Sequence, residues 1–62
     1  MAKLTSVQQE AISMLEKQIE EIEVSDAYTA FTRYLAIGNR NIHIERCKDN
    51  KYYAENWLRN NT

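Results

Sequence analysis

His43 and Cys47 stand four residues apart with Glu45 between them, and they are the one histidine and the one cysteine of the chain. A thiol, an imidazole and a carboxylate are the ingredients of nucleophilic catalysis. On a helix, the i, i+4 pair would also offer two metal ligands on one face. Neither chemistry is complete. A structural zinc site takes four ligands, which here would require two chains. There is no second histidine, no glycine-rich phosphate loop and no nucleophile elbow. The expectation is a structural thiol and a surface imidazole, with no catalysis, no resident metal and no cofactor.

A second constellation is better suited to binding. Arg33, Tyr34, Arg40, Arg46 and Tyr52 are of the residue types that dominate interface hot spots, and they are the expected partner-binding anchors. They lie in a chain whose charge is divided. Residues 1–31 hold six acidic and two basic side chains, whereas residues 32–62 hold six basic and three acidic ones, and all six aromatics lie from position 28 onward. Such a dipole bears on association rather than on fold. Arginines and tyrosines also suit phosphates and stacked bases, but the chain's pI of 5.7 is far below the value of about 9 usual for nucleic-acid modules.

These side chains need elements to hold them. Thr5 or Ser6, each followed three residues later by glutamine, opens a capping box, and Ile12, Leu15, Ile19 and Ile22 recur at 3-4-3 spacing. That is the seam of a helix packed on another helix, expected over residues 6–24. The seam is also the expected self-association surface, with packing inside the chain as the competing reading. Ser25-Asp26 is a second start signal, and Gly38-Asn39 a stop signal, so helix 2 is expected at about 26–37. Residues 40–60 favour a helix broken near Asp49-Asn50. The alternation of Ile42-His43-Ile44-Glu45 leaves open a β-hairpin closing onto Tyr52-Tyr53. The fold class expected is all-α, a helical hairpin or three-helix unit forming one domain over 1–62. The alternative is α+β with that C-terminal hairpin.

Length sets the remaining expectation. A chain of 62 residues buries only about 60% of the surface it exposes when unfolded, and domains this small usually add disulfides, a metal or a partner. A single cysteine excludes an intrachain disulfide. Self-association as a homodimer is what remains. The N-terminal residues turn polar at once, without the 7–15 apolar residues of a signal peptide, and no run approaches a membrane span of 18 or more. With one free thiol, the expected location is the cytoplasm. The function expected is therefore that of a small non-catalytic regulator. It would bind a cellular protein through a helical face and modulate or inhibit it, as small phage-encoded proteins do. A dimeric nucleic-acid-binding regulator and a binder of an anionic small ligand between subunits are the alternatives.

Overall fold

The computed structural model describes residues 3–61; the first two residues and the last of the expected domain lie outside it. Three helices follow one another: α1 (Ser6–Val24), α2 (Ala30–Asp49) and α3 (Lys51–Asn61). Each helix packs on the other two, within a slab of 37 × 24 × 14 Å. No strand occurs among the described residues. The hairpin alternative is thereby overturned, because residues 42–53 fall in the last two turns of α2, a one-residue break, and the start of α3.

α1 forms where the capping box and the 3-4-3 seam place it. Thr5 is the N-cap: its hydroxyl accepts from the Gln8 amide at 3.2 Å, and the Gln8 side chain accepts from the Thr5 amide at 2.9 Å. Its apolar stripe meets the inner faces of α2 and α3. Ala11, Ile12 and Leu15 cluster with Ile44, Cys47 and Ala54, and Val7, Ile19, Tyr53, Trp57 and Leu58 pack around them. Ile22 is buried as well. The seam read as a surface for a second helix thus meets helices of its own chain.

Two boundaries differ from expectation. Ser25-Asp26 does not start helix 2. Ser25 closes α1, and its hydroxyl accepts from the Ala27 amide, a local turn that competes with a helix start. The N-cap is Thr29, which forms a reciprocal box with Thr32. Nor does Gly38 end α2. The helix runs through it, and no glycine has a positive φ. Glycine in a helix interior costs about 1 kcal/mol relative to alanine, and the burial of Ile44 and Cys47 beyond it outweighs that, each buried aliphatic contributing roughly 1.5–3 kcal/mol. The break comes at Asn50, as the sequence suggested. Its backbone ends α2, and its side-chain oxygen accepts from the amides of Tyr52 and Tyr53 at 2.8 and 3.2 Å, so one residue closes one helix and opens the next.

Candidate functional site

The five expected anchors do not form one surface. Arg33 turns inward along the end of α1. Its guanidinium donates to the carbonyls of Ile22, Ser25 and Tyr28 at 3.2, 2.8 and 3.3 Å, placing a positive charge at the C-terminal end of α1 and tying it to the connection that follows. Arg40 is half-buried and crosses to α1, donating to Gln18 Oε1 at 3.2 Å and to Asn39 Oδ1 at 3.2 Å. These two arginines join helices. Tyr34 is exposed on the outer side of α2, and Tyr52 is exposed at the start of α3.

Arg46 and Tyr52 belong to a corner where the end of α2 meets α3. The Arg46 guanidinium lies 6.0 Å from the Tyr53 ring centroid, and the Lys51 ammonium lies 5.3 Å from that of Tyr52. Both distances are within cation–π range. Arg59 adds a third cation on the same outer face of α3, held to Glu55 at 3.2 Å, and Tyr52, Glu55, Asn56 and Arg59 line one shallow depression. On the inner side, Tyr53 stacks on His43, with centroids 6.0 Å apart, and its hydroxyl shares a hydrogen bond with His43 Nδ1. The corner therefore presents an exposed tyrosine with Lys51 and Arg59 on its outer side, and Arg46 against the Tyr53 ring of a half-buried Tyr53–His43 pair. The residues sequence reasoning did not single out are Lys51, Tyr53 and Arg59. The helix break at Asn50 brings the Tyr53 ring beside Arg46.

The His43/Cys47 pair is split by the fold. Cys47 is fully buried in the core, and burial pushes its thiol up from the ordinary value, the reverse of what activates a nucleophile. His43 faces Tyr53 instead. A buried sulfur is also out of reach of a second chain, so the two-chain metal site has no geometric basis. Among the described residues, no group of three or more His, Cys, Asp or Glu side chains is placed to hold a metal ion, and no helix is long and apolar enough to cross a membrane.

Beyond the corner, α2 carries a second exposed feature. Phe31, Tyr34, Leu35 and Ile42 are 70, 76, 52 and 54% exposed, although Leu15 and Cys47 are the largest side chains that are fully buried. Apolar surface thus lies on both faces of α2: Ile44 and Cys47 inward, and Phe31, Leu35 and Ile42 outward. A helix apolar on both sides is ordinarily covered on both sides. No family model, curated protein or solved structure matches the chain.

Proposed function

We propose that this chain is a non-catalytic binding module, a small regulator that attaches to a cellular protein and modulates or inhibits it. The attachment surface is the corner formed by Arg46, Lys51, Tyr52 and Arg59. The observation that carries this reading is the Tyr52 ring, exposed beside the Lys51 ammonium and contributing nothing to the buried core. Tyrosine and arginine are enriched in interface hot spots because they combine apolar area with polar reach. The surrounding cations suit a partner of acidic surface, which they would steer into contact. Occlusion of the partner by a preformed helical corner is the mechanism. A reducing cytoplasm is the compartment that suits one free buried thiol.

The test is affinity capture from the source cell, followed by titration of the recovered protein. Arg46→Ala and Tyr52→Ala should each weaken binding about thirtyfold or more, the roughly 2 kcal/mol that defines a hot spot, while leaving the helical circular dichroism unchanged. Retained affinity in both variants would refute the assignment. The same cations and aromatic rings favour one second reading, a regulator that binds nucleic acid. Salt separates the two, because affinity for nucleic acid falls steeply and linearly with log salt as counterions are released.

A further inference from the structure

We infer that two copies of this chain pair through the outward face of α2, running antiparallel and crossing at Gly38. This surface is separate from the Arg46–Tyr52 corner, and the inference stands without it. Phe31, Leu35, Gly38 and Ile42 recur at 4-3-4 spacing, which is a helix–helix seam, and its three large members are the exposed apolar side chains described above. Gly38 sits in the middle. A Cβ built there meets no atom within 4 Å, and its φ is not positive. Neither the backbone nor the packing of the chain itself therefore calls for glycine, which is the least favourable interior helix residue after proline. Its effect is a notch in the outer surface, bordered by Tyr34, Leu35, Asn41 and Ile42, where a second helix can approach closely.

A second copy fits this notch for three reasons. A two-fold axis at Gly38 makes the stripe complementary to itself, setting Ile42 of one copy over Tyr34 and Leu35 of the other, as an isologous interface requires. Charge selects the direction. Glu45 and Asp49 extend the seam line toward the C-terminal end of α2, and a parallel pair would set each against its own copy. An antiparallel pair carries Glu45 toward the first turn of the other α2, which has no acidic residue of its own and presents the positive end of the helix dipole. Area is sufficient. With aromatic side chains covering about 150–250 Å² each, the four exposed side chains supply roughly 500 Å² per copy. That gives about 1,000 Å² for the pair, the threshold for a specific interface.

Sedimentation equilibrium over a range of micromolar concentrations reads the outcome directly. The wild-type chain should tend to twice 7.3 kDa as concentration rises. Gly38→Leu fills the notch and should raise the dissociation constant about tenfold or more, with helical circular dichroism retained because a Cβ at this position has open space and leucine is a better helix former than glycine. The double variant Leu35→Glu/Ile42→Glu, altered at exposed positions, should be monomeric and still helical. A wild-type chain that stays at 7.3 kDa throughout, or variants that remain dimeric, would overturn the inference. In a Cys47→Ala background, oxidation should link Gly38→Cys to its own copy across the two-fold axis and leave Leu35→Cys unlinked. Linkage at Leu35→Cys, or at neither position, would refute the antiparallel crossing.

Discussion

The Gln8 carboxamide reaches across 39 residues to the end of α2, donating to the Cys47 carbonyl at 2.8 Å and to the Lys48 carbonyl at 3.2 Å, while its own oxygen accepts from the Thr5 amide. One buried side chain thus completes the start of α1 and satisfies two orphan carbonyls of α2. Gln8→Ala removes the donor and leaves those carbonyls partly buried and unmet. It should cost about 1–3 kcal/mol, a fall in Tm of roughly 4–8 °C per kcal/mol for a domain of this size. Thermal melts at matched protein concentration check this, since self-association would make Tm depend on concentration.

Arg33 performs the corresponding task at the other end of α1. Hydrogen bonds to a charged group contribute about 1.5–3 kcal/mol, so Arg33→Ala should lower stability by an amount of that order. Arg33→Lys should fall between the two, because an ammonium cannot span three carbonyls as the planar guanidinium does. Urea midpoints for the three proteins give the ranking. An Arg33→Ala variant as stable as wild type would mean that the three bonds carry no net stability.

Most of the fold was legible because it is written in local signals. The Thr5/Gln8 box and the Ile12–Ile22 spacing specify α1, and Asn50 marks the one-residue break before α3. The signals that misled were also local. Ser25 satisfies its turn chemistry while closing a helix instead of opening one, and Gly38 carries the composition of a stop without the left-handed backbone of one. Packing of Ile44 and Cys47 on α1 decides that the helix continues, and that contact between distant segments is invisible to a pattern read along the chain. The candidate site was legible in type but not in place. Arg33 and Arg40 resemble anchors in composition, yet carbonyls and Gln18 across the α1 contact claim them. The turn at Asn50 is what brings the Tyr53 ring to Arg46.

Substitutions on the two faces of the bundle should separate core from outer surface. Leu15 is 1% exposed and central to the cluster. Leu15→Ala should cost about 2–5 kcal/mol in lost transfer energy and residual cavity. A core of this size seldom supplies more than about 3–5 kcal/mol, so the variant should be largely unfolded at room temperature by circular dichroism. Leu35→Ala, at a half-exposed outer position, should change the unfolding free energy of the dilute chain by only about 0.5 kcal/mol. A Leu15→Ala chain that melts cooperatively near the wild-type temperature would show that the cluster is not what holds the helices together.

Cys47 gives the fold its own reporter. Its sulfur is buried, and loss of water around the charged form pushes the thiol above its ordinary value of 9.0. The thiolate is the reactive species, so a thiol reagent at neutral pH should modify the folded chain slowly and the denatured chain at the rate of a free cysteine. The sign of the linkage follows from the same shift. Below pH 9.0 the thiol is protonated in both states and contributes no pH dependence. Above it the unfolded chain releases its proton first, so the thiol's contribution to stability is lost as pH rises. The difference in urea midpoint between the wild type and Cys47→Ala should therefore be constant from neutral pH upward and shift against the wild type once the pH passes 9.0. Rapid labelling of the folded chain, or a difference that stays flat through that range, would show that the sulfur is reached by water and that the packing of α2 on α1 is looser than the geometry requires.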